Sequence, residues 1–211
     1  GDPDLATTEK LIYAMEEAGA GLIEIGIPFS DPTAEGPVIL EADTRALAAG
    51  TKIKDIFAML ARVREKTRIP MVFLTYANPI FTYGRDKFFQ QCRDVEIDGV
   101  IVPDVPFEEK ATIAPEAEKY GVEIISMIAP TSHQRIQMIA KEAQGYIYLV
   151  SSLGVTGVRK EITTNLKEIV EKIREVSDKP IAVGFGISTP EQAREMAAIS
   201  DGAIVGSAIV K

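Results

Sequence analysis

Short apolar runs alternating with amphipathic helical stretches predict an α/β protein with a parallel sheet, of the (β/α)8 TIM-barrel class. Three observations carry this. Seven apolar runs are continuous rather than alternating, as parallel strands covered on both faces require. Each run except the last is followed by helical material. The 211 residues, 46% hydrophobic and 26% charged, suit one large soluble domain. An open doubly wound sheet fits less well. Gly184-Phe185-Gly186 lacks the third glycine of a dinucleotide fingerprint, and Gly154-Val155-Thr156-Gly157 has the wrong spacing.

The elements follow in order. Residues 5–18 have apolar positions at helical spacing behind Asp4 or Asp2 as cap, and Gly19 and Gly21 end the helix. A strand is expected at 22–27, then a long loop to Pro37 and a helix over 37–48 ended by Gly50. A helix over 52–67 precedes Pro70 and a strand at 71–76. Helix 85–95 leads to strand 99–105, and helix 108–119 with Gly121 to strand 123–129. Helix 133–143 with Gly145 leads to strand 146–151, helix 163–176 to strand 180–186, and helix 190–198 to strand 202–208. Seven strands read as a (β/α)8 barrel entered in the loop after its first strand and left before its closing helix. The expectation is a single barrel domain over 1–211, incomplete at both ends, because a seven-stranded sheet leaves raw edges.

The net charge of −8 argues against nucleic acid as a partner. No apolar run reaches the ~18 residues of a membrane span, and no signal peptide is visible. The single cysteine, Cys92, excludes an internal disulfide and fits a reducing, cytoplasmic setting as a structural thiol. No cluster of His and Cys suggests a metal site.

In a barrel the chemistry sits at the C-terminal ends of the strands. Glu24 is a carboxylate inside the apolar run Leu22-Ile23-Glu24-Ile25-Gly26-Ile27. It is either a satisfied structural acid or a general acid or base whose pKa burial would raise. The following loop carries a second acid, Glu35. Asp104 sits in a rigid Val-Pro-Asp-Val-Pro turn, where it would bond a substrate or shape a loop. Tyr148 is either a core aromatic or a hydroxyl aimed at Glu24 or the substrate. Glycine-rich loops follow the last three strands, and those after the final two are the usual phosphate cradle of such barrels. Two acids and a phosphate cradle suggest proton transfer on a phosphorylated substrate.

The stretch Glu24-Ile25-Gly26-Ile27-Pro28-Phe29-Ser30-Asp31-Pro32, followed by Ala34, Gly36 and Pro37, resembles the signature of the tryptophan synthase α subunit family. Thr75-Tyr76-Ala77-Asn78-Pro79, Pro103-Asp104-Val105-Pro106, Ala129-Pro130-Thr131, Ser152-Leu153-Gly154-Val155-Thr156-Gly157, Gly184-Phe185-Gly186-Ile187-Ser188 and Gly206-Ser207-Ala208-Ile209-Val210 keep the family's order and spacing. The resemblance covers the whole chain. It implies retro-aldol cleavage of indole-3-glycerol phosphate to indole and glyceraldehyde 3-phosphate. No cofactor is implied for this subunit. The implied partner is a pyridoxal-phosphate-dependent β subunit in an α2β2 assembly. By the same resemblance Glu24 is the general acid/base, and Glu35 holds the indole N–H where the family's pattern has aspartate. Tyr148 matches an active-site tyrosine, and Gly157, Gly186, Gly206 and Ser207 match the phosphate cradle. Leu74, Ile101 and Phe185 match the indole pocket. Pro28, Asp31, Asn78, Asp104 and Thr156 match loop closure and the partner interface. Alternative readings are a stand-alone indole-3-glycerol-phosphate lyase, a non-catalytic activator of the β subunit, and a sugar-phosphate isomerase or epimerase.

Overall fold

The computed structural model describes residues 1–130, 133–151, 159–184 and 186–211, with side chains throughout except at 133 and 159–164. Contacts divide the chain into two units, Gly1–Ile124 and Ile125–Lys211. Strands that follow one another in sequence pair in parallel in both.

In the first unit, α1 (Leu5–Glu17) starts where the Asp4 carboxylate accepts the Thr7 N–H at 2.8 Å. Then come β1 (Ile23–Gly26), α2 (Pro37–Ala48), α3 (Ile53–Arg64) and β2 (Met71–Leu74). Next are α4 (Ala77–Tyr83), α5 (Arg85–Asp94), β3 (Gly99–Ile101), a 3₁₀ helix (Phe107–Thr112), α6 (Ala114–Tyr120) and β4 (Glu123–Ile128). β1 pairs with β2, β2 with β3, and β3 with the first two residues of β4. The core joins Ile23, Ile25 and Ile27 to the buried faces of α3 and α5. Its centre is aromatic. Phe57 meets Phe73 edge-on at 5.5 Å, and Phe88 meets Phe89 edge-on at 5.4 Å. Cys92 is fully buried there, and burial pushes its thiol pKa up, as a structural thiol requires.

The second unit takes the rest of β4, then α7 (His133–Lys141), β5 (Gln144–Val150), α8 (Arg159–Arg174) and β6 (Ile181–Gly184). It ends with α9 (Pro190–Ile199), β7 (Gly202–Ala203) and α10 (Ser207–Val210). β4 pairs with β5, β5 with β6, and β6 with β7. Ile147, Leu149, Ile181 and Val183 are buried, and so are Leu166, Ile169 and Ile173 of α8. The reciprocal capping box of Thr189 and Gln192 starts α9.

The two units repeat one device at their strand starts. In the first, Arg64 donates to the Ile69 carbonyl at 2.6 Å and lies 3.5 Å from Asp98, whose carboxylate accepts the Met71 N–H at 2.9 Å. In the second, Arg174 donates to the Lys179 carbonyl at 2.9 Å and pairs with Asp201, whose carboxylate accepts the Ile181 N–H at 2.7 Å. The proline before each strand accepts an N–H from the preceding strand, that of Ile23 on Pro70 and that of Ile147 on Pro180. The correspondence sets β1, β2 and β3 against β5, β6 and β7. Arg64 is buried and also donates to the carbonyls of Val95 and Glu96.

Several boundaries differ from the sequence reading. The strand expected over 71–76 ends at Leu74, because Tyr76 caps α4, a helix additional to those expected from the sequence. Pro79 lies in the first turn of α4, where its missing N–H leaves no bond unmade. The strand expected over 99–105 ends at Ile101, since Pro103 and Pro106 supply no ladder donors. The helix expected over 108–119 splits at Ile113 into a 3₁₀ turn and α6. The strand expected over 202–208 pairs only at Gly202 and Ala203, and Ser207 opens the turn α10 instead.

Candidate active site

In the first unit the site residues stand on the sheet face away from the isoleucine core. Side chains alternate along a strand, so buried Ile23 and Ile25 send Glu24 and Gly26 to the other face. Glu24 is half-buried. The register sets Glu24 beside Val72 and Val72 beside Gly99 in one row. Gly26, Leu74 and Ile101 form the next row, about 7 Å nearer the strand ends. The two expected indole-pocket walls of this unit thus lie one row above the expected acid. Ile101 is fully buried and Leu74 half-buried.

The loop after β1 folds against Tyr76. Phe29 lies on the Tyr76 ring, centroids 5.5 Å apart. The Tyr76 hydroxyl donates to Glu35 Oε1 at 2.9 Å and accepts the Ala34 N–H at 3.1 Å. Burial, and then the Glu35 carboxylate, push the Tyr76 pKa up, so the hydroxyl keeps its proton. Tyr76 was not singled out as a site residue in the sequence. Its place at the end of an apolar run was the available signal. Behind the loop, Asp43 of α2 accepts the Phe29 N–H, and its carboxyl is pushed up to about 6 by burial and by the charge of Glu35.

The expected interface residues have separate tasks. Asp104 accepts the Ala77 N–H at 3.0 Å and so caps α4 from the next loop, which favours the loop-shaping alternative. Asn78 is exposed and accepts from the Thr82 hydroxyl at 3.2 Å. Asp31 is exposed and takes the Ser30 hydroxyl, and Pro28 is half-buried.

In the second unit Tyr148 occupies the place in β5 that Glu24 occupies in β1, by the strand-start correspondence above. Its side chain is buried and lies over Gly184. A Cβ built at Gly184 would meet the Tyr148 hydroxyl oxygen at 2.3 Å, so any larger residue there would force the tyrosine side chain to move. Gly186 has φ +75°, a left-handed value that favours glycine. Gly206 and Ser207 are exposed at the start of α10. Gly157, Thr156 and Phe185 lie outside the described residues. Among the described residues no group of three or more His, Cys, Asp or Glu could hold a metal ion. None of their helices is long and apolar enough to cross a membrane.

Parallel strands paired in chain order and joined through helices, with acids and glycines at the strand ends, are features of the α/β class to which (β/α)8 proteins belong. The family model described as tryptophan synthase alpha chain matches residues 1–211. The tryptophan synthase alpha chain of Lacticaseibacillus casei is 51% identical over 209 residues, covering 99% of this chain and 79% of the relative. That of Thermoanaerobacter sp. (strain X514) is 48% identical over 211 residues, covering 100% of this chain and 80% of the relative. The solved tryptophan synthase subunit alpha of Campylobacter jejuni superposes with a TM-score of 0.92 at 35% identity, over 99% of this chain and 84% of that one. A structure of tryptophan synthase from M. tuberculosis in an aminoacrylate-bound form gives 0.88 at 30%, over 100% and 81%. The chain belongs to the tryptophan synthase alpha chain family. Its role is that family's, in tryptophan biosynthesis as a lyase that releases indole for the β subunit.

Proposed function

We propose that the chain is a carbon–carbon lyase that cleaves indole-3-glycerol phosphate by a retro-aldol step, with Glu24 as the general acid/base. Glu24 protonates C3 of the indole and then, as the carboxylate that remains, takes the proton of the glycerol hydroxyl. The bond from C3 to the glycerol carbon then breaks, and its electrons return to the ring. Glu35 accepts the indole N–H and stabilises the positive charge that develops on the ring. Tyr148 orients the reacting groups. Leu74, Ile101 and Phe185 wall the indole, and Gly157, Gly186, Gly206 and Ser207 receive the phosphate. Pro28, Asp31, Asn78, Asp104 and Thr156 serve closure of the loops and docking of the β subunit. The subunit needs no cofactor, the pyridoxal phosphate belongs to the partner in an α2β2 complex, and the setting is cytoplasmic. Residues 1–211 contribute to one barrel domain.

The reading rests on one observation above all. Glu24 is the carboxylate in the row Glu24, Val72 and Gly99, and the apolar side chains of Leu74 and Ile101 occupy the row above it. That is a proton donor under an apolar floor suited to an aromatic ring. Glu24→Gln is expected to cut indole release about 100- to 10,000-fold while sparing binding of a non-cleavable indole-3-alkyl phosphate. Unchanged turnover would refute the assignment. Brisk release that a β subunit does not raise would favour the stand-alone lyase.

A further inference from the structure

We propose that Tyr76 is the positioning residue for Glu35, fixing which carboxylate oxygen faces the ligand's N–H. The inference rests on the reading of Glu35 given above and extends it to a residue outside that set. A phenol has one proton to donate and oxygen lone pairs to accept with. At Tyr76 the proton goes to Glu35 Oε1 at 2.9 Å and a lone pair takes the Ala34 N–H at 3.1 Å. The same oxygen therefore holds both the acid and the peptide before it. Glu35 is half-buried, and its Oε2 takes no hydrogen bond among the described residues, so this oxygen is the one left to accept from a ligand.

Tyr76 is itself well fixed. The residue is 3% exposed, its ring lies tilted against Phe29 with centroids 5.5 Å apart, and the next peptide is held by Asp104. It reaches Glu35 across 41 positions of sequence from a strand end, whereas Glu35 sits on a loop. A glutamate has one more rotatable bond than an aspartate and needs an anchor to present one oxygen repeatedly. The buried hydroxyl supplies that anchor.

The test is Tyr76→Phe in the full chain, read by calorimetry with two probes. One is a non-cleavable indole-3-alkyl phosphate. The other is its benzothiophene counterpart, which has the same shape and phosphate but no N–H. Thermal unfolding serves as the control for folding. The wild type is expected to prefer the indole probe. Tyr76→Phe is expected to weaken the indole probe about 10-fold and the benzothiophene probe less than about 2-fold, with turnover falling in parallel. Retained preference in Tyr76→Phe would overturn the positioning role. Equal loss on both probes with a lowered melting temperature would overturn it too, in favour of a structural role. A wild type that does not distinguish the probes would instead remove the reading of Glu35 as the N–H acceptor, and the inference with it.

Discussion

Asp43→Asn is expected to stabilise the chain at neutral pH and to do nothing in acid. The Asp43 carboxyl is raised from 3.8 to about 6, first by burial and then by the like charge of Glu35, with the Phe29 N–H opposing. Between those two values the folded chain holds a proton that the unfolded chain has released. Stability therefore falls as pH rises from about 4 to about 6, and the penalty is complete above that. At ~1.4 kcal/mol per pKa unit the ceiling is about 3 kcal/mol. Asp43 is half-buried, and solvent screening brings the expected effect nearer ~1 kcal/mol. Asparagine keeps an oxygen for the Phe29 N–H and removes the charge. Urea unfolding of both proteins across this pH range is the assay. The stability difference should be near zero below about pH 4, grow through about pH 5 and level off near ~1 kcal/mol above about pH 6. A variant less stable than the parent at neutral pH, or a difference that ignores pH, would refute the electrostatic account.

Other substitutions follow from the packing. Gly184→Ala should lower stability by ~1–3 kcal/mol and displace the Tyr148 ring, seen as a lower melting temperature and an altered near-ultraviolet spectrum, because the added carbon meets that ring at 2.3–2.6 Å. Arg64→Leu should lower stability by ~3 kcal/mol or more in denaturant unfolding, since it strips donors from the carbonyls of Ile69, Val95 and Glu96. Asp104→Ala should cost about 1 kcal/mol through loss of the α4 cap, and hydrogen exchange should report faster opening at Ala77.

The main elements were legible because their signals are local. Glu24 could be picked out because a carboxylate interrupts an isoleucine run, and the register puts it on the face away from those isoleucines. Tyr76 offered only its place at the end of an apolar run, because the use of its hydroxyl depends on a loop 41 residues earlier in the chain. Asp43 looks like an ordinary helix-surface acid until α2 is packed behind the Phe29 loop. Helix α4 was hidden because the carboxylate that caps it belongs to another loop. The Arg64 and Arg174 devices share Arg-Glu at the helix end, a proline six residues after the arginine and a later Asp-Gly, but what those residues do shows only in their hydrogen bonds.

That repeated device makes the strand ends exchangeable. Among the described residues, the chain between Met71 and Asp98 carries two helices, α4 and α5, and between Ile181 and Asp201 it carries α9 alone. Both segments nonetheless return to the same bond, an aspartate carboxylate on the first N–H of the strand they left. Each segment is in effect a cassette plugged into a common socket. The first holds one helix more, which mounts Tyr76, and the aspartate-to-strand bond is the same beneath both.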